Sequence, residues 1–131
     1  VTLYVPSTEQ LVVEIVVERL ERSLRFYTAL GFGVVRAEDD FAELSWDDHR
    51  LFLVERSAFA NSPTGSRVPS FPSANVRVMV PDVDSHWADV RVLNAPVVHA
   101  IADRPYGLRD FTIADPDGFG IRFASRLPLT R

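Results

Sequence analysis

The sequence contains no cysteine, so a disulfide framework, a thiolate nucleophile and cysteine-ligated zinc are all excluded. Lysine is missing as well. All 14 basic residues are arginine, which removes Schiff-base and lysine-nucleophile chemistry. No apolar run approaches the ~18 residues of a membrane span, so no membrane partnership is expected. The first residues show no basic stretch followed by an apolar run, so no secretion signal is expected. With cysteine absent, the cytoplasm is the expected address. Basic charge is outnumbered: a net charge of −4 argues against an electrostatic grip on nucleic acid and suits a cationic small molecule better.

What is present is an internal repeat. Apolar types make up 47% and charged types 24% of the 131 residues, which is globular and not disordered composition. Laying Val13–Val35 over Val76–Val98, an offset of 63 residues without a gap, aligns the apolar positions. Val13, Ile15, Val17 and Leu20 fall on Val76, Val78, Val80 and Val83. Leu24, Tyr27 and Leu30 fall on Trp87, Val90 and Leu93. Each copy opens with period-two alternation and changes to a helical period. Gly31 stands where a left-handed C-cap belongs, Asp82 is an N-cap, and Asn94 closes the second helix.

Three strand-like runs follow each helix. In the first copy they are Phe32–Arg36, Phe41–Trp46 and Arg50–Glu55; in the second, Val97–Ala102, Arg109–Ala114 and Phe119–Ala124. Asp115-Pro116-Asp117-Gly118 has the residues of a type I turn. The expected fold is therefore α+β: two β-α-β-β-β modules whose curled mixed sheets form a ligand cleft, with helices on the outer face. Module one covers about 10–56 and module two about 74–126 of a single domain. Residues 57–73, rich in Ser, Pro and Gly, are a linker or a lid.

If the helices cover one face of each sheet, chemistry belongs on the other. The helix-facing set is apolar: Val13, Ile15, Val17, Leu44, Leu51, Leu53, Val76, Val78, Val80, Phe111, Ile113, Phe119, Ile121 and Phe123. The opposite set carries Val12, Glu14, Glu43, Ser45, Arg50, Phe52, Asn75, Arg77, Met79, Asp110, Thr112 and Arg122. A half-solvated antiparallel sheet also gives such a pattern. In a cleft, however, charge needs a partner, so Glu14, Glu43 and Asp110 are expected near Arg50, Arg77 or Arg122, or to await a ligand charge.

The run Leu20-Glu21-Arg22-Ser23-Leu24-Arg25-Phe26-Tyr27, then Leu30-Gly31-Phe32, resembles the opening of vicinal oxygen chelate proteins, the glyoxalase/bleomycin-resistance/dioxygenase superfamily. Gly107–Gly118 resembles the close of its second module, and the likeness covers roughly residues 10–125. The resemblance implies, for metal-dependent members, a His on the first strand of each module and a Glu on the last. The matching positions here are Val12, Asn75 and Arg122, and none of His49, His86 and His99 falls at one. No metal and no other cofactor is therefore expected, and each histidine is read as a surface or turn residue.

The resemblance then points to the metal-free, bleomycin-resistance-like branch: a protein that binds a small aromatic or cationic compound and does no chemistry. Glu14, Glu43 and Asp110 would face a cation. Phe52, Phe59, Phe71, Trp46 and Tyr106 would offer stacking surface, with Arg50, Arg77, Thr112 and Arg122 completing the ligand-binding set. Two alternatives stay open. One is an isomerase- or lyase-type enzyme using Glu14 or Asp110 as general base and an arginine for an enolate-like anion. The other is a partner-binding protein whose polar sheet face meets another chain. The resemblance also implies a homodimer, with Val1–Thr8 as an arm over the partner.

Overall fold

The computed structural model describes residues 11–60 and 74–129. Period-two alternation gives the strands and helical spacing the helices, so the first unit runs β1 (Val13–Val17), α1 (Leu20–Leu30), β2 (Gly33–Ala37), β3 (Phe41–Trp46), β4 (His49–Glu55) and α2 (Arg56–Ala60). The second runs β5 (Asn75–Met79), α3 (Val83–Val92), β6 (Val97–Asp103), β7 (Leu108–Ala114) and β8 (Gly120–Arg126). The chain divides into two compact units, Val1–Val68 and Pro69–Arg131. Each holds a four-stranded mixed sheet, β1-β4-β3-β2 and β5-β8-β7-β6, in which only the first pair is parallel. The α+β class and the repeated strand order both follow from the overlay of the two copies.

Each unit has its own core. Ile15, Val17, Leu20, Tyr27, Leu30, Leu44 and Leu53 are buried in the first; Val78, Val83, Val90, Phe111, Ile113, Ile121 and Phe123 in the second. At full burial, a Leu, Ile or Phe side chain contributes about 1.5–3 kcal/mol, so these stripes hold helix to sheet. Gly31 at the end of α1 has φ 116°, and a Cβ there would stand 3.2 Å from the Trp46 ring, so conformation and space both require glycine. At the close of the second unit, Asp115 Oδ1 accepts the amides of Asp117 at 2.9 Å and Phe119 at 2.8 Å, which fixes the expected turn.

The last strand of each unit also caps its helix. Glu55 Oε2 accepts the Leu20 amide at 3.0 Å, since Arg19 gives α1 no side-chain cap. Ser125 Oγ accepts the Val83 amide at 3.0 Å and donates to the Val80 carbonyl at 2.6 Å. At α3, Asp82 adds the expected N-cap by accepting the Ser85 amide at 3.1 Å.

Several local expectations need correction. Residues 57–60, read as linker, belong to α2, because Ser57-Ala58-Phe59-Ala60 contains no Pro or Gly to stop a turn of helix. Val13, placed with the helix-facing set, is 49% exposed on the edge strand. Phe32 precedes β2 and Phe119 precedes β8, each taken up by the turn that leads into the strand. His86 is not a surface histidine: it lies half-buried on α3 with its ring 4.2 Å from that of Phe123. Its spacing from Val83 and Val90 puts it in the buried stripe. Burial lowers its pKa from 6.5, against the opposing charge of Asp89.

Candidate functional site

Strand register assembles a row of side chains across the face of sheet one that the helices leave free. Glu14 on β1 stands opposite Phe52 on β4, Phe52 opposite Glu43 on β3, and Glu43 opposite Arg36 on β2. Glu43 is only 3% exposed. Its Oε1 accepts from Arg36 Nε at 3.0 Å and its Oε2 from Arg50 Nε at 3.1 Å. Two guanidiniums on one carboxylate supply the compensation that a buried charge requires. Arg36 also lies over the Phe41 ring at 4.9 Å, and Phe41 packs edge-on against Phe52 at 5.0 Å. Phe52 is itself 3% exposed, so it forms the floor of this face and offers little free ring surface.

Glu14 differs from Glu43. It makes no hydrogen bond or ion pair among the described residues. Partial burial raises its carboxyl pKa from 4.5, with no cation to oppose the shift. It is the one carboxylate of this row left for a charge from outside.

Sheet two repeats the row with different chemistry. Arg77 on β5 stands opposite Arg122 on β8, Arg122 opposite Thr112 on β7, and Thr112 opposite His99 on β6. Arg122 Nε donates to Thr112 Oγ1 at 3.3 Å. Beside this row, Asp110 is 2% exposed. It accepts Arg104 Nε at 2.7 Å and the Tyr106 hydroxyl at 2.5 Å. Burial would raise the Asp110 carboxyl, but the bonds from Tyr106 and Arg104 and the charges of Arg104 and Arg122 hold it below the ordinary 3.8. The same bond to Asp110 raises the Tyr106 phenol above 10.0. Tyr106 is 54% exposed, with the Arg77 guanidinium 5.9 Å from its ring centre.

The face opposite the helices is buried at its centre and open on the parallel edge strand: Glu43, Phe52, Asp110 and Thr112 are buried, whereas Glu14 and Arg77 are exposed. Of the expected aromatics, Tyr106 is open, and Phe59 lies half-buried on α2. Trp46 packs against Phe32 at 5.0 Å at the C-terminal end of α1, and Phe71 lies outside the described residues. Of the arginines expected beside the acids, Arg50 meets Glu43, whereas Arg77 and Arg122 form no ion pair among the described residues. Arg36 and Arg104 were not anticipated. Arg36 follows once the β2–β3 register is drawn; Arg104 sits in the turn after β6, where alternation carries no information.

The donor set does not fit the metal site that the resemblance implies for metal-dependent relatives. Val12 has no donor atom, Asn75 is a neutral amide, and Arg122 is a cation whose strand neighbour is a second cation, Arg77. Among the described residues no group of three His, Asp or Glu side chains converges as a metal site.

Comparison with known proteins shows the family of the chain. The family model described as "Glyoxalase/Bleomycin resistance protein/Dioxygenase superfamily" matches residues 10–123. A bleomycin resistance protein from Geobacillus stearothermophilus is 30% identical over 120 residues, covering 82% of this chain and 89% of that protein. A bleomycin resistance protein from Staphylococcus aureus matches to the same extent. Among solved structures, a glyoxalase/bleomycin resistance protein/dioxygenase from Nocardioides superposes with a TM-score of 0.74 at 22% identity, covering 100% of this chain and 90% of that one. A lactoylglutathione lyase from Agrobacterium tumefaciens does so with 0.71 at 17%, covering 87% and 91%. Likeness at these identities is likeness of fold.

Proposed function

Because the chain belongs to the glyoxalase/bleomycin resistance protein/dioxygenase superfamily, we propose that it is a metal-free small-molecule-binding protein. In this reading it sequesters an aromatic or cationic ligand on the sheet faces opposite its helices. It works in the cytoplasm as a homodimer and does no chemistry. The observation that carries the reading is Glu14. It is an unpaired carboxylate in a row whose other acid, Glu43, is already neutralised, and it stands beside an aromatic floor. A cationic ligand there would supply the charge that no described side chain gives Glu14. The names of the curated relatives support a drug of the bleomycin class as the first ligand to try.

Titration calorimetry with bleomycin and other planar cationic compounds tests this directly. Micromolar or tighter binding that weakens in Glu14→Gln is the expected result. If no member of the panel binds better than millimolar, the sequestration reading fails.

A second reading has one observation in its favour. The same raised pKa would suit Glu14 as a general base. Asp110, the other candidate base, is held ionised by Arg104 and Tyr106 and is a poor proton acceptor. Turnover that Glu14→Gln abolishes while binding persists would establish the enzyme reading in place of the first.

A further inference from the structure

We infer that the free face of sheet two carries an oxyanion subsite, built from Arg77, Arg122 and Thr112, that takes an acidic group of the ligand. The inference deepens the binding role proposed above and rests on it for the rest of the ligand. The subsite itself stands on residues of one unit.

The argument begins with register. Arg77 and Arg122 are Cα partners in the parallel β5–β8 pair, so their side chains leave the same face about 4.8 Å apart. Like charges directly opposite one another destabilise a sheet. Such a pair is ordinarily relieved by an acid on the neighbouring strand. Here the neighbour in that row is Thr112, which gives Arg122 a single neutral acceptor at 3.3 Å. Among the described residues Arg77 meets the Tyr106 ring, and neither arginine forms an ion pair.

Asp110 is close by but committed. Its two oxygens already accept Arg104 and Tyr106, so one carboxylate faces the charges of Arg104 and Arg122, and Arg77 stands beside Arg122 as a further cation. This local excess of positive charge stands in a chain whose net charge is −4. On sheet one the equivalent row is balanced differently: Glu43 satisfies Arg36 and Arg50, and the group left over is an acid. The two faces thus leave opposite charges unmatched, Glu14 on one and the arginine pair on the other.

Guanidinium forks suit oxyanions, since each presents parallel N–H groups to two oxygens of a carboxylate, phosphate or sulfate. Thr112 is 5% exposed, held by its strand, and its hydroxyl can donate to the anion while accepting Arg122. The chemistry this subsite takes is therefore an oxyanion: a carboxylate, phosphate or sulfate group.

The test is an NMR titration of the full, isotope-labelled chain with inorganic phosphate and, separately, with benzoate, at fixed ionic strength in chloride. The expected result is saturable shifts, in the millimolar range, confined to the amides of Arg77, Thr112 and Arg122 and to the side-chain N–H groups of both arginines. Arg77→Gln and Arg122→Gln should each weaken binding tenfold or more, whereas Arg91→Gln on α3 should leave it unchanged. Stronger phosphate binding identifies a tetrahedral anion, and stronger benzoate binding a planar carboxylate. Shifts that do not saturate, or that spread equally over the other surface arginines, would overturn the inference. So would affinity that survives Arg77→Gln; this substitution lies at an exposed side chain and leaves the core intact. Phosphate binding without binding of any planar cation would keep the subsite and remove the sequestration reading. Drug binding without saturable anion shifts would do the reverse.

Discussion

Replacing Asp110 with asparagine keeps the shape of the side chain and removes its charge. In the folded protein that charge is 2% exposed and holds Arg104 Nε at 2.7 Å and the Tyr106 hydroxyl at 2.5 Å. Breaking one half of a buried ion pair costs about 3–5 kcal/mol. Arg104 is 24% exposed and keeps the Ala100 carbonyl at 2.7 Å, so water and backbone recover part of that cost. The expected loss at neutral pH is about 2–3 kcal/mol, a substantial share of the usual 5–15 kcal/mol. Urea unfolding at pH 7 should show it as a midpoint lowered by about 1 M.

The pH dependence is the sharper half of the test. The folded carboxyl lies below its ordinary 3.8, so its contribution is complete well above that value. It is lost as pH falls through 3.8 toward the folded pKa. Wild type and variant should therefore converge in strongly acidic solution. Added salt should also reduce the difference at pH 7, because Arg104 and Arg122, the two cations acting on Asp110, would otherwise repel without the acid. Equal stability of the two proteins at pH 7, or a difference that persists unchanged below the folded pKa, would refute the reasoning.

Glu14→Gln should act in the opposite sense in the ligand-free protein. Its folded pKa is raised, so the charged form is disfavoured on folding, and the variant should be slightly more stable at pH 7 with the gain vanishing below 4.5. Gly31→Ala should cost about 1–2 kcal/mol in thermal unfolding, because alanine resists the positive φ and meets the Trp46 ring. Ser125→Ala removes the cap on the Val83 amide and the bond to Val80, and should cost about 1–2 kcal/mol with α3 losing hydrogen-exchange protection first. The His86 ring should titrate below 6.5 by NMR, since its charge must form against Phe123; a value at or above 6.5 would contradict its burial.

The strands and helices were legible because alternation and helical spacing are local signals, and the second copy repeated the first. Ile15, Leu53, Phe111 and Phe123 are buried where the pattern puts them. The site was legible only by face. Alternation places Glu43 and Asp110 opposite the helices, but which arginine reaches them depends on register and turns. Arg104 returns to Asp110 because the turn after β6 folds back, with the Arg104 amide bonded to the Leu108 carbonyl at 2.7 Å. The caps from Glu55 and Ser125 join residues 35 and 42 positions apart, a distance that no window of local sequence spans. His86 was open to correct reading: its spacing from Val83 and Val90 is helical, and the polar side chain concealed it.

In each unit the opening strand lies beside the closing one, β1 against β4 and β5 against β8, and the closing strand also holds the start of the helix. Because that pair is parallel, the chain enters each unit at one end of the sheet and leaves it at the other, with all four strands paired inside the unit. A gene segment encoding it can therefore be copied in tandem, each copy completing its own hydrogen bonds before the next begins. Once doubled, the copies are free to diverge in charge on one face while the shared helix-side core is kept, which is the pattern Glu14 and Arg77 display at equivalent positions.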